Sequence, residues 1–567
     1  MKNPLDGLDP YQAEAVLASE RRLILLAAAG AGKTRTLVAR VTHLLQQGVE
    51  PASIVVTTFT RKAAAEMRER LTHALDEGLV GQLQIGTMHA HLYAWLRRHT
   101  PDEPGVWLQP DASEGSDEFH THGAEANASS DERRAARQHT GRYGFDDLED
   151  EWALRLGRCS AELDAWLMTL EEILVDEAQD LSHTQAALLL AMQARAGDGL
   201  RLTLIGDDFQ SIYAFRGAEP TFLIRCSRDP SWRTCLLGTN YRCRADIVDA
   251  AQRLIEHNLH RTTKQSRAHR SGGGSIQLSL HADPWAEACA SFGWLREEDD
   301  ADEDTTAVLL RTHDLCLIWE TVAFLRGLRV APLRGEVTDH WRDHPALVAR
   351  LRMLRWLCAV PLPEDLVAWE TLAQRRGWTG GMDELLRLQH GWDGRAPAPW
   401  DAWRRLLDLG RAPCGERWLD VIDEGVDEIA PAARNRALAW WRGTFPRAPS
   451  ALTYLRQVEL WPHLPAVCAL GTIHQSKGLQ WPRVLLPRWE EGVLPWKRAR
   501  DNPAALEEER RIAYVAMTRA EDALWVSTTG APQGWSRFLG EAGLDPRGGR
   551  TTRWWRYARE RFSTSDE

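Results

Sequence analysis

The chain is short of several things. No apolar run approaches the ~20 residues that span a bilayer, and Met1-Lys2-Asn3-Pro4 has none of the apolar core of a secretion signal, so neither a membrane protein nor an exported one is expected. Nine cysteines are scattered without one Cys-x-x-Cys pair, which signals neither a zinc site nor an iron–sulfur cluster. Reduced thiols in a cytoplasmic protein are the expectation. There is no excess of positive charge either: 69 Lys and Arg face 80 Asp and Glu, a net charge of −11. That argues against non-specific coating of DNA but leaves room for a local basic groove. Tyr and Phe are few at 8 and 11, whereas Trp numbers 26. Most of these should lie in cores or between domains, with a few free to stack on bases. The length of 567 residues suggests roughly three to five domains.

One stretch organises the rest. The apolar run Leu23-Ile24-Leu25-Leu26 empties into Ala27-Ala28-Ala29-Gly30-Ala31-Gly32, then Lys33-Thr34-Arg35 and the helix-like Thr36-Leu37-Val38-Ala39-Arg40. Small residues let backbone N–H groups close around a polyphosphate, and a helix N-terminus adds its dipole. Lys33 would reach the β/γ-phosphates and the Thr34 hydroxyl would hold Mg²⁺. A strict pattern wants Gly where Ala27 stands. Taken alone, the stretch is either a nucleotide loop or an ordinary tight strand–helix turn.

Upstream, Asp9-Pro10 reads as the cap and first turn of a helix that carries Gln12. Gln12 is either a solvated surface residue or an adenine contact. Downstream, Ser53 to Phe59 reads as a strand, Thr60 to Leu71 as a helix and Leu83 to His89 as another strand. This alternation predicts a parallel sheet with covering helices, and such sheets bind ligands at strand C-termini, where Phe59 and His89 fall. Residues 101–150 lose apolar periodicity and read as a loosely ordered surface insertion. Order returns at Ile173-Leu174-Val175-Asp176-Glu177, a buried strand ending in two carboxylates. In a phosphate-loop enzyme the first positions Mg²⁺ and the second orients or deprotonates water. The stretch Leu202 to Gln210 supplies a further strand, with Gln210 at its mouth.

Together these stretches resemble the UvrD/Rep/PcrA-type superfamily 1 helicases. The phosphate loop is similar to that family's own variant, with Ala28 where Gly is usual. Val175-Asp176-Glu177-Ala178-Gln179-Asp180 resembles the second helicase motif, and Gly206-Asp207-Asp208-Phe209-Gln210-Ser211-Ile212-Tyr213-Ala214-Phe215-Arg216-Gly217-Ala218 the third. Asn240-Tyr241-Arg242, Val308 to Thr312, Gly471-Thr472-Ile473-His474-Gln475-Ser476-Lys477-Gly478-Leu479, and Glu507 to Ala520 follow in the family's order. The resemblance implies that Tyr241 stacks on adenine while Gln12 reads its edge, with Ala29, Gly30, Ala31, Gly32, Lys33, Thr34 and Arg35 around the phosphates. It implies that Arg35, Arg242 and Arg519 surround the phosphates, that Gln210 senses the γ-phosphate, and that Glu177 activates water. Arg35 and Arg242 could instead make surface ion pairs. It implies a single-strand track of Phe59, Tyr213 and Phe215, with Arg216 beside it and Phe215 where the family usually has Trp. Thr87, His89, Arg311 and His474 would contact the strand or its phosphates, or else serve as structural hydrogen-bonding groups.

The expected fold is α/β, with two RecA-like parallel-sheet motor domains, each bearing a mainly helical insertion. Residues 1–97 and 171–236 would form the first motor, 98–170 its short insertion, 237–335 and 465–550 the second motor, 336–464 its Trp-rich helical insertion, and 551–567 a polar tail. Arg375 to Met382 is either a duplex-touching glycine turn or a plain interhelical turn. Two departures stand out. Gln480 replaces the family's ribose-binding Glu, and Trp525 to Thr529 is followed almost at once by Gly530-Ala531-Pro532, where the family has a longer wedge hairpin. The implied activity is that of an ATP- and Mg²⁺-dependent 3′–5′ DNA helicase or translocase acting in repair, replication or recombination, with single-stranded DNA and junctions as partners and a nuclease or repair protein as a further one. The alternative is a motor subunit serving a separate nuclease, weak at unwinding alone.

Overall fold

The computed structural model describes residues 3–99, 145–158, 160–218, 220–272, 275–297, 301–333 and 464–544. The expectations for most of the 101–150 insertion, the 336–464 helical domain with its glycine turn, and the polar tail lie outside these residues. The described residues fall into two compact units, one from 3–279 and 477–544, the other from 280–476.

The first unit is built on six strands: β1 (Arg22–Ala27), β2 (Ile54–Thr58), β3 (Gln84–Thr87), β4 (Glu172–Val175), β5 (Arg201–Gly206) and β6 (Arg233–Leu237). Their order is β3-β2-β4-β5-β1-β6, and every pairing is parallel. After Arg22, strand β1 is apolar because both faces of the sheet are covered. Ile24 and Leu26 join one core with Ile173, Val175, Leu202 and Leu204. Leu23, Leu25 and Ala27 point to the other, with Ile54, Val56, Leu174 and Ile205. This alternation is the two-residue period of a strand. Parallel strands put the loops after β1, β4 and β5 on one edge.

Helix α1 (Pro10–Leu17) begins as its sequence predicts. The Asp9 carboxylate accepts from Gln12 N, and the Gln12 side chain accepts from Asp9 N in return. Helix α2 (Lys33–Gln46) follows the small-residue loop. It is tied beneath the sheet by a buried ion pair, Arg40 Nε to Glu172 Oε1 at 2.7 Å. Arg40 also donates to the carbonyls of Ala15, Val16 and Ala18. Glu172 further accepts from Arg201 and Thr203.

The helix after β2 runs Arg61–Ala74 with Thr60 as its cap, close to expectation. The strand expected to reach His89 stops at Thr87, and helix Met88–His99 begins at once. His89 therefore sits in a helical first turn rather than at a strand end. Strands β7 (Thr239–Arg244) and β8 (Arg267–Arg270) pair parallel, and β9 spans Ser275–His281. In the second unit, β10 (Thr306–Leu310) and β11 (Arg329–Pro332) each pair parallel with β12 (Ala466–Thr472). In the first, β13 (Trp481–Leu486) pairs parallel with β14 (Ala520–Thr529). The fold is thus α/β on parallel sheets, as for RecA-like motors. From Gly530 the chain makes a short turn, Pro532–Gly534, and enters helix Arg537–Glu541 without a hairpin.

Candidate nucleotide and nucleic-acid sites

The loop after β1 can curl tightly only because of its glycines. Gly30 and Gly32 have φ of +66° and +76°, the region L side chains avoid. A Cβ on Gly30 would lie 2.7 Å from Arg242 Cβ, and one on Gly32 would lie 2.7 Å from Gln12 Nε2. Helix α2 starts with no side-chain cap, so its first N–H groups face the loop's concavity. Ala29 and Ala31 are buried, and Thr34 is half-buried on the first turn. Arg35 points outward and donates to Asp6 O at 3.2 Å.

Lys33 Nζ donates to Glu177 Oε2 at 2.7 Å. Glu177 has a φ of +51°, a costly conformation for a non-glycine residue, and Gln179 Nε2 also donates to it. Burial works against the Glu177 charge, but Lys33 and Lys477 outweigh it and hold the carboxyl down at about 2. Burial and the neighbouring Glu177 charge push Asp176 up to about 7. Burial likewise opposes the Lys33 charge, and Glu177, Asp207 and Asp176 overcome it to keep the ammonium above its usual range. Two adjacent half-buried carboxylates, the second bonded to Lys33, with a hydroxyl on the facing helix turn, fit a magnesium nucleotide. Asp176 is the member short of positive charge.

The structure brings Gln210, Arg242 and Arg519 to this pocket. Gln210 Nε2 donates to Asp207 Oδ2 at 2.7 Å, and its Oε1 accepts from Arg519 Nη2 at 3.2 Å. Arg519 is fully buried and spends Nη1 and Nε on the carbonyls of Leu479 and Val515. Burial, and then the nearby Arg242, lowers its pKa to about 9. Arg242 Nη1 donates to Thr518 O at 3.1 Å, and its buried Nε has no partner among the described residues. Tyr241 N donates to Gly30 O, which places the phenol beside the loop. Gln12, 2% exposed, donates from Nε2 to Ala31 O. Gln480 is exposed.

Of the expected track, Phe59 and Tyr213 stack with centroids 5.3 Å apart and planes 11° from parallel. Phe215 meets Tyr213 edge-on at 5.9 Å and is 68% exposed. The Arg216 side chain lies outside the described atoms. Thr87 Oγ1 accepts from Ala90 N, capping the new helix. His89 Nε2 lies 3.0 Å from Glu149 Oε1. In the second unit, Leu310 O accepts from Ile473 N, so Arg311 and His474 leave adjacent parallel strands together.

Three residues not expected at the site are prominent in it. Lys477 donates to Asp180 and to Gln210 O, and its ammonium lies 4.6 Å from the Tyr213 ring centroid. Asp180, pushed up to about 6 by burial against the pull of Lys477, closes the motif that begins at Val175. Both stand inside stretches that sequence marks out. Lys264, buried between Asp207 and Asp208, carries no local signal at all.

The UvrD/REP helicase N-terminal domain matches residues 8–140 and 116–231, and the UvrD-like helicase C-terminal domain matches residues 461–531. The chain belongs to the UvrD-like helicase family. It is 28% identical to ATP-dependent DNA helicase UvrD1 of Mycobacterium tuberculosis, over 95% of this chain and 85% of that one. It is 27% identical to DNA helicase II of Escherichia coli, over 91% and 83%. It is 25% identical to ATP-dependent DNA helicase PcrA of Bacillus subtilis, over 92% and 83%. As in a UvrD-like helicase, the motifs follow one another along the chain in the family's order. Among the described residues no helix is long and apolar enough to cross a membrane.

Proposed function

We propose that this UvrD-like protein is an ATP- and Mg²⁺-dependent motor that moves 3′ to 5′ on single-stranded DNA and opens duplex junctions in the cytoplasm. The observation that carries the reading is the junction of Arg519 with Gln210, beside Lys33 and Glu177. Thr34 and Asp176 would hold the metal, and Lys33, Arg35, Arg242 and Arg519 the phosphates. Gln12 and Tyr241 would take adenine and Gln480 the ribose. Magnesium would supply charge neutralisation at the β/γ-phosphates. Glu177 would take the proton of the attacking water once Lys33 turns to phosphate. Gln210, held by Asp207 and Arg519, would report the state of the pocket. Lys477 ties the same pocket to the aromatic row, so a change in grip on one reaches the other. Phe59, Tyr213 and Phe215 would stack on bases of any sequence, as a translocating motor needs. Thr87, His89, Arg216, Arg311 and His474 would line the strand's path. The division into two motors with insertions at 98–170 and 336–464 remains our reading of the chain.

The short turn after β14 favours a second reading, a motor that works with a separate nuclease or repair protein. Strand displacement on 3′- and 5′-tailed duplexes separates the two. Opening of the 3′-tailed duplex by the purified chain supports the helicase. DNA-stimulated ATP hydrolysis without opening supports the partnered motor. Preference for a 5′ tail would refute the polarity.

A further inference from the structure

We propose that Asp9 is a positioning residue for the nucleotide base: one carboxylate sets both the side chain that reads the base edge and the ring that covers its face, and so selects adenine. The inference rests on the nucleotide reading of the loop. Asp9 Oδ1 accepts from Gln12 N at 2.8 Å, closing the first turn of α1. Asp9 Oδ2 accepts from the Tyr241 hydroxyl at 2.6 Å. The two oxygens thus join residues more than 200 positions apart in sequence.

The consequences run through Gln12. Its Oε1 accepts from Asp9 N at 3.1 Å, and its Nε2 donates to Ala31 O at 3.0 Å. Turning the amide over would break both bonds, so its orientation is fixed. One Nε2 hydrogen and one Oε1 lone pair remain unspent. Adenine offers an acceptor at N7 and a donor at its 6-amino group, whereas guanine offers two acceptors on that edge. The fixed amide suits the first and leaves an oxygen facing an oxygen with the second. Asp9 holds this amide through the helix turn and Tyr241 through the phenol, while Tyr241 N is pinned to Gly30 O at 3.0 Å. Edge and face therefore share one anchor.

Asp9→Ser separates the anchor's two tasks, because serine still caps a helix but does not reach the phenol. It should raise KM for ATP about tenfold, the loss of one hydrogen bond to a charged acceptor. It should leave kcat at saturating ATP within about twofold, as expected of uniform binding. The ratio of kcat/KM for ATP over GTP should stay within about twofold, because the retained cap still holds the Gln12 amide and an aromatic face does not tell the purines apart. Asp9→Ala, which also removes the cap, should lower that ratio about tenfold. Tyr241→Phe should give the same KM rise, and the double variant no larger one, since both delete a single bond. Wild-type KM in Tyr241→Phe, an unchanged ATP/GTP ratio in a folded Asp9→Ala, or additive effects in the double variant would overturn the inference, and Tyr241→Phe alone decides it if the Asp9 variants do not fold. If the unaltered protein neither binds nor hydrolyses ATP, the nucleotide reading fails instead.

Discussion

Glu177→Gln changes one charge and almost no volume. The Glu177 carboxylate accepts from Lys33 at 2.7 Å and from Gln179, and an amide oxygen keeps an acceptor for Lys33. The fold should therefore stand. The charge that receives a proton is gone, and a positioned base contributes ~10²–10⁴ in rate. At ~1.4 kcal/mol per decade, that is about 3–5 kcal/mol of barrier. Lys33, meanwhile, is released from an ion pair whose side chains are 14% and 29% exposed. Solvent limits such a pair to ~1 kcal/mol, so ATP affinity should hold or tighten, by about fivefold at most. Phosphate release with saturating oligo-dT measures the first effect, and titration with a fluorescent ATP analogue the second. Wild-type turnover would refute the assignment of Glu177 as base. Loss of ATP binding together with turnover would show that the substitution damages the pocket rather than its chemistry.

Two other substitutions probe the rest of the molecule. Phe59→Ala removes half of the 5.3 Å stack with Tyr213. It should weaken single-stranded DNA binding by ~1–3 kcal/mol, the worth of one base–aromatic stack, in fluorescence anisotropy. Glu172→Ala leaves Arg40, 1% exposed, without its buried carboxylate. It should cost ~3–5 kcal/mol in urea unfolding.

Much of this was legible in the chain. The runs at Leu23, Ile54, Ile173 and Leu202 are strands because both faces of a covered parallel sheet demand apolar side chains. Asp9-Pro10 caps a helix where expected. The tight turn after β1 was legible despite Ala27, because what the backbone needs is a positive φ at Gly30 and Gly32, not glycine at its first position. His89 was misplaced because an apolar strand and a helix start abut without punctuation. Only the Thr87 hydroxyl, accepting from Ala90 N, marks the boundary. Lys264 was invisible, since its partners at Asp207 and Asp208 lie more than 50 residues away.

What joins the two sides of the pocket is a run of bonds rather than any motif. Arg519 reaches Gln210, Gln210 donates to Asp207, Asp207 pairs with Lys264, and Lys264 pairs with Asp208. Asp208 in turn accepts from the backbone and hydroxyl of Thr262 at 2.8 Å each. The carboxylates and Lys264 are at most 1% exposed. A buried charge stripped of its partner loses far more than the pair contributes when intact. The run therefore resists partial change: moving Gln210 obliges Asp207 to move or lose a bond, and so on to Thr262. Gln210 and Arg519 can be named from local sequence, but their coupling to the segment at Thr262 and Lys264 exists only once the chain has folded. Rigid bonding of this kind would let a small displacement at a phosphate be felt across the segment that leads from β7 to β8, instead of being absorbed by a side-chain rotation at the pocket.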